Sequence, residues 1–160
     1  MKKIAFIFPA LLMLAVGFAS CSDDDELPMV DINTTYTGAT MVDGTLYVLQ
    51  DQPFEITSVA AVPLREGAKV GLTSVEYGLD GWVIGVTNIS PFGVAFEPGT
   101  FEVGKHLLSM RMGIVEEGCS PAVGYYATDF VVVATAEEIP EPSEGTVQGI
   151  INTHPSITSE

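Results

Sequence analysis

From residue 45 onward the chain alternates between short apolar runs and turn residues, without the periodicity of a helix. His106–Val115 is the clearest run, because Leu108, Met110, Met112 and Ile114 fall on one face of an extended chain. A period of two with one dry face is typical of a strand in a β-sandwich. About seven short strands therefore predict an all-β, antiparallel β-sandwich. The predicted strands are Thr45–Gln50, Phe54–Val62, Val70–Leu79, Trp82–Thr87, Phe92–Glu97, His106–Val115 and Tyr125–Thr135.

The N-terminus has the layout of a secretory signal peptide. Lys2 and Lys3 precede an uncharged, mostly apolar run from Ile4 to Phe18, and the small residues Ala19 and Ser20 follow it. The apolar run is too short for a membrane span, which needs about 20 residues. Residues 1–20 are therefore predicted to be a cleaved leader.

Phe18-Ala19-Ser20-Cys21 resembles the lipobox of bacterial lipoproteins, which ends in a cysteine. The resemblance implies that Cys21 is lipidated, becomes the first mature residue and anchors the protein to the outer membrane, because more than one acyl chain gives stable anchoring. The residues that follow resemble the surface-export signal of Bacteroidetes-type lipoproteins, and the alternative is a solvated acidic linker. These residues are Ser22, Asp23, Asp24, Asp25 and Glu26.

Composition divides the rest of the chain into three parts. Residues 21–40 are acidic and then threonine-rich, which predicts a tether from the membrane. Residues 41–138 form the predicted sandwich. Residues 139–160 are rich in Pro, Ser and Glu and predict a flexible tail, in which residues 146–151 can form a marginal strand.

Charge excludes some classes of partner. Removing residues 1–20 takes away two lysines and no acid, so the formal charge falls from −15 to −17. So acidic a chain repels nucleic acid and anionic lipid surfaces, and its membrane contact is expected through the lipid anchor alone.

The cysteine content predicts that the mature protein has no intramolecular disulfide. Once Cys21 is lipidated, only Cys119 remains, so no intramolecular disulfide can form. Its sequence neighbours Glu116 and Glu117 are not the base or cation that a reactive thiol needs, so Cys119 is predicted to be structural.

The segment Val75–Ile114 resembles the core of bacterial immunoglobulin-like domains, in which an Asp-Gly turn separates two strands and a Pro-aromatic pair follows. The resemblance implies an immunoglobulin-like β-sandwich. The chain departs from the family pattern at Met112–Gly118. The matching residues are Val75, Glu76, Tyr77, Asp80, Gly81, Ile84, Gly85, Pro91, Phe92, Gly104, His106 and Leu108. Asp80-Gly81 is also a strong hairpin signal by itself.

No motif indicates catalysis, a metal or a cofactor. The two histidines, His106 and His154, stand far apart without other ligand residues at zinc spacing. The candidate glycosidase pairs are Glu76 with Asp80 and Glu116 with Glu117, and most of these acids are expected to be solvated faces or turns. We therefore predict that the protein is not an enzyme.

Three aromatic residues, Trp82, Tyr125 and Tyr126, are the candidate ligand-binding residues. Core packing is the expected role of Trp82, and exposure at the hairpin tip is the alternative; Tyr125 and Tyr126 must point to opposite faces. The sequence thus favours a surface-exposed, outer-membrane lipoprotein that binds or displays a glycan or a protein. The alternative is a structural or accessory subunit of an outer-membrane uptake complex or surface assembly.

Overall fold

The computed structural model describes residues 26–141, 150–153 and 156–159. The leader, Cys21 and residues 22–25 of the predicted export signal lie outside these residues. The described elements are β1 Val30–Thr37, β2 Ala39–Val42, β3 Thr45–Leu49, β4 Phe54–Pro63, β5 Val70–Leu79, β6 Trp82–Thr87, β7 Val94–Phe96, β8 Gly104–Glu116, β9 Ala122–Val133, a 3-10 turn Ala136–Glu138, β10 Ile150–Thr153 and β11 Ser156–Ser159.

Two sheets face each other, which confirms the all-β sandwich. One sheet has the strand order β10-β1-β4-β7, and the other has the order β2-β3-β9-β8-β5-β6 with β11 also paired to β9. Every described pairing is antiparallel except that of β3 with β9. The seven strands expected from the sequence correspond to β3–β9.

The core lies between the sheets and is centred on aromatic rings. The Phe130 ring lies 5.4 Å from the Phe54 ring and 5.2 Å from the Phe101 ring, centroid to centroid. Tyr77 is fully buried, its hydroxyl donates to the Phe92 carbonyl, and burial raises the pKa of its phenol. The expected dry face of β8 is also buried, so alternation along this strand was a correct guide.

The predicted tether ends earlier than expected, because β1 belongs to the sandwich. Val30 and Ile32 are fully buried, and β1 pairs with β4 from Val30 opposite Pro63 to Thr37 opposite Glu55. The threonines that suggested a linker are β-branched residues that suit a strand. Thr35 even bonds through its hydroxyl to strand β4. The boundary predicted at residue 41 is therefore wrong, and the sandwich begins at Val30.

The predicted flexible tail also contains paired strands. β10 pairs with β1, and β11 pairs with β9. The marginal strand expected at residues 146–151 overlaps β10, whose described residues start at Ile150. A tail that adds strands to both sheets is not wholly unstructured, so the prediction for residues 139–160 is wrong for these segments.

At one end of the sandwich, Arg65 and Glu116 bind the start of the described chain, residues 26–29. This end is called the N-terminal end. The side chain of Glu116 is 1% exposed, accepts the Met29 N–H at 2.9 Å and lies 3.4 Å from the Arg65 guanidinium. Arg65 also bonds to the Leu27 carbonyl and pairs with Glu26 at 3.2 Å. Glu26, expected in the export signal, thus has a structural contact as well.

Arg65 also supplies a cation that the local sequence around Cys119 did not indicate. Its Nη1 lies 3.1 Å from the Cys119 sulfur, 54 positions away in sequence. The sequence neighbours of Cys119 are acidic, but the fold also brings a cation to its sulfur. The same contact joins the loop after β8 to the loop after β4.

Replacing Glu116 with alanine should lower the free energy of unfolding by roughly 1–3 kcal/mol, because it leaves the Met29 N–H and Arg65 without their buried acceptor. Glu117→Ala is the matched control. Glu117 makes only an exposed pair with Lys69, so its loss should cost less than about 0.5 kcal/mol. Urea unfolding of both variants measures the difference. Equal midpoints would contradict the fastening role of Glu116.

Candidate functional site

An open cleft of about 440 Å³ lies on the outer face of the larger sheet. Strands β5, β6, β8 and β9 contribute to it. All three candidate ligand-binding residues, Trp82, Tyr125 and Tyr126, border this one cleft. The other lining residues are Glu76, Gly78, Gly81, Val83, Ser109, Met110, Arg111 and Ala127.

The floor of the cleft is a row of small residues across three strands. Gly78 of β5 lies opposite Ser109 of β8, which lies opposite Ala127 of β9. A Cβ atom at Gly78 would lie 2.5 Å from the Ser109 hydroxyl oxygen, so glycine keeps the floor low at this position. Val83 of β6 is opposite Gly78 and ends the row.

A second row, two residues along the strands, supplies polar and aromatic groups. Glu76 lies opposite Arg111, and Arg111 lies opposite Tyr125. The Arg111 Nε donates to the Tyr125 hydroxyl at 3.2 Å, and the guanidinium lies 6.0 Å from the centre of the Tyr125 ring. Tyr125 is 45% exposed, so its ring is held but remains open to a ligand.

Trp82 is on the surface, which corrects the expectation that it packs in the core. Its side chain is 79% exposed. It begins β6 directly after the turn, at the end of the sheet, where Leu79 is its partner across the ladder. The aromatic rings of the core are phenylalanines and tyrosines from other parts of the chain, among them Phe54, Tyr77 and Phe130.

Tyr126 has a different role from its neighbour, as alternation along a strand requires. Tyr126 lies opposite Met110 and packs against the core, and burial raises the pKa of its phenol. Tyr125 is exposed on the outer face, whereas Tyr126 is half-buried. The sequence placed both residues near the site but could not say which one faces outward.

The turn that carries Trp82 is held by hydrogen bonds between Asp80 and strand β8. Asp80 and Gly81 both have positive φ, 51° and 84°, as the Asp-Gly signal predicted. Asp80 Oδ1 accepts the Leu107 N–H at 2.8 Å, and Asp80 Oδ2 lies 2.7 Å from His106 Nδ1. His106 therefore supports the hairpin turn.

Two charged side chains, Glu76 and Arg111, line the cleft. In the described residues no group of three His, Cys, Asp or Glu side chains is arranged to hold a metal ion. Glu76 is the one carboxylate residue among those that line the cleft. His106 lies near the start of β8, and Cys119 follows the end of this strand, so the topology does not bring the two residues together.

Strand β6 is a second notable feature because it forms one edge of the larger sheet. Among the described residues, no backbone hydrogen bond links β6 to any strand other than β5. Residues 82–90 carry no charge, and Trp82, Val83, Val86 and Ile89 are exposed. Edge strands of this kind normally carry a lysine, a proline or a cover that prevents pairing.

No protein-family model matches the chain, and comparison with curated proteins finds no match. Among solved structures, the chain is similar to the fibronectin(III)-like modules of Clostridium thermocellum CbhA, at 15% identity and a TM-score of 0.37. The similarity covers 59% of this chain and 92% of that one. The strand pairing itself defines the two-sheet sandwich.

The described residues form no helix that could span a membrane.

Proposed function

We propose that this protein is a non-catalytic binding lipoprotein of the bacterial cell surface that holds a glycan in the cleft between Trp82 and Tyr125. The observation that carries the proposal is the pairing of two solvent-exposed aromatic residues with a floor of small residues. Sugar rings present flat C–H faces that stack on aromatic rings. A floor without large side chains lets such a ring approach the sheet.

Polar groups beside the aromatic rings match the hydroxyls of a sugar. Glu76 supplies acceptors, Arg111 supplies donors, and the Ser109 hydroxyl supplies both. The row from Val83 to Ala127 crosses four strands, or about 14 Å at about 4.8 Å per spacing. That width suits a short oligosaccharide of two or three residues.

The absence of a catalytic role is proposed from the same groups. Glycoside hydrolysis needs two carboxyl groups on either side of the bond that is cut. Glu76 is one such group, but both oxygens of the nearest acid in sequence, Asp80, are engaged by His106 and Leu107. The cleft therefore supports binding without hydrolysis.

Surface anchoring is proposed from the sequence, and the topology is compatible with it. The start of the described chain is fastened at the N-terminal end, whereas Trp82 follows the turn at the far end of β5. Ten residues of strand separate these ends by about 30 Å. A lipid on Cys21 would thus leave the Trp82 end of the sheet farther from the membrane than the N-terminal end.

The exposed edge of β6 favours a second candidate function, a subunit of a surface assembly. The occupant of this edge would be an extended strand of a neighbouring protein, held by backbone hydrogen bonds. An uncharged edge on so acidic a chain favours recognition by backbone and apolar contacts over recognition by charge.

Replacing Trp82 with alanine should weaken glycan binding at least about tenfold, because a stacked aromatic residue is a typical centre of binding energy. Tyr125→Phe should weaken it less, since the ring stays. Glycan arrays probed with the detergent-purified protein, followed by calorimetry on the strongest oligosaccharide, measure both effects. Leu64→Ala, an exposed apolar residue outside the cleft, is the control. Failure to bind any glycan, or equal binding by Trp82→Ala, would refute the proposal.

Changing Cys21 to alanine should release the protein from the membrane fraction, because the acyl chains are lost. Changing Asp23, Asp24 and Asp25 to asparagine should leave it anchored but shielded from protease added to intact cells. Glu26→Gln alone is the control, because Glu26 also pairs with Arg65. Continued membrane association of the Cys21→Ala variant would contradict the proposed lipid anchor. If the triple asparagine variant stays accessible to protease, the acidic residues act only as a linker and not as an export signal.

Changing Val86 to lysine should disrupt an assembly through β6 while leaving the fold intact, because a lysine on an edge strand blocks pairing. Native gels of mild outer-membrane extracts provide the measurement. The wild-type protein should migrate in a larger complex and the variant as a monomer, with Leu64→Lys as the control. A wild-type monomer would exclude this second function.

A further inference from the structure

His106 makes two contacts that together define its protonation state. Its Nδ1 lies 2.7 Å from Asp80 Oδ2, and its Nε2 lies 2.9 Å from the Glu102 carbonyl oxygen. With Asp80 ionised, both partners are acceptors only. A neutral imidazole has a single N–H, whereas an imidazolium has two. Both contacts are hydrogen bonds at once only when the ring is charged.

The carboxylate that His106 bonds is a structural part of the turn before Trp82. Asp80 exchanges two further bonds with Leu107, from the Leu107 N–H to Asp80 Oδ1 at 2.8 Å and from the Asp80 N–H to the Leu107 carbonyl at 3.0 Å. Only Gly81 lies between Asp80 and Trp82. The orientation of the Asp80 side chain and the position of Trp82 are therefore linked through a two-residue turn.

We propose that His106 is a protonation-dependent positioning residue for Trp82. As an imidazolium it holds the Asp80-Gly81 turn, and Trp82 borders the cleft in a fixed orientation. As a neutral imidazole it has one N–H, so it either gives up the bond to Asp80 or keeps that bond without the charge of the ring. In both cases its interaction with the turn that carries Trp82 weakens, and the turn gains mobility. The proposal deepens the proposed function of the cleft and depends on it for its biological meaning.

The surroundings of His106 favour the charged ring. Asp80 and the Glu102 side chain add negative charge nearby, and Asp129 borders the same surface groove. Lys105, also at that groove, opposes them. The hydrogen bond to Asp80 is the largest cause of a raised pKa for His106, against partial burial of the ring, which lowers it.

The direction of the pH effect follows from the raised pKa. The bond contributes fully below the pKa of an unfolded-chain histidine, about 6.5, and is lost as the pH rises through the higher folded value. The turn should therefore be tight in mildly acidic surroundings and looser in alkaline ones. The stability contributed by the pair declines in the same direction.

Fluorescence of Trp82 tests the proposal directly, because it is the only tryptophan in the chain. Anisotropy and acrylamide quenching of the detergent-purified protein are measured from pH 5 to 9, while circular dichroism verifies that the protein stays folded. We expect quenching to rise and anisotropy to fall in one step, with a midpoint above about 6.5. Loss of one hydrogen bond should raise the open fraction of the turn roughly two- to tenfold.

Three variants test whether His106, and no other titrating group, causes the pH-dependent step in Trp82 fluorescence. His106→Asn keeps an amide donor near the position of Nδ1 but does not titrate, so its profile should be flat. Asp80→Asn keeps the turn and an acceptor for Leu107, so the step should move to lower pH. His154→Gln, the other histidine, should leave the step unchanged.

The proposal is overturned if the wild-type profile is flat or if the step persists in His106→Asn. A purely structural role for His106 would change the urea midpoint of the variant without a pH step at Trp82 in the folded protein. None of these measurements uses a ligand. A glycan array without binding, together with a His106-dependent step, would refute the cleft's function and leave the coupling of His106 to Trp82 standing.

Discussion

The register of the β5-β8-β9 ladder is the constraint on which both the core and the cleft depend. Side chains alternate between the two faces of a strand, so the pairing that places Tyr77 beside Met110 and Tyr126 on the inner side also sets the outer rows. Glu76, Arg111 and Tyr125 then fall in one line. A slip of one residue would bury this charged row and expose the core, which is why the register is strongly specified.

The floor of the cleft follows from the same register in a less obvious way. Larger side chains along the row of Gly78, Ser109 and Ala127 would fill the cleft. Even a Cβ atom at Gly78 would lie 2.5 Å from the Ser109 hydroxyl oxygen. The depth of the cleft is thus a consequence of small residues meeting across strands. No loop is needed to form it, which explains how a compact sandwich can present a concave surface.

Local pattern predicted the strands well and the site only in part. Alternation identified β8, and Asp80-Gly81 identified the β5–β6 turn, because both signals are local. β1 was missed because its outward positions are polar and threonine-rich, so its composition resembles a linker. The row from Glu76 to Tyr125 joins residues up to 49 positions apart, and no local pattern contains that register. Trp82 was misplaced because a residue at a hairpin end has no alternation to indicate its side.

Strand β8 connects the two ends of the molecule, and its two charged contacts differ in kind. At the N-terminal end Glu116 is buried among fixed partners and serves to fasten the chain. Near the turn end, His106 contacts the half-exposed Asp80 carboxylate. Histidine can gain or lose its proton between about pH 5 and 8. Asparagine would satisfy the positive φ of Asp80 equally well. The Asp80 carboxylate adds a negative charge that the turn geometry does not require. That charge stabilises the protonated form of His106.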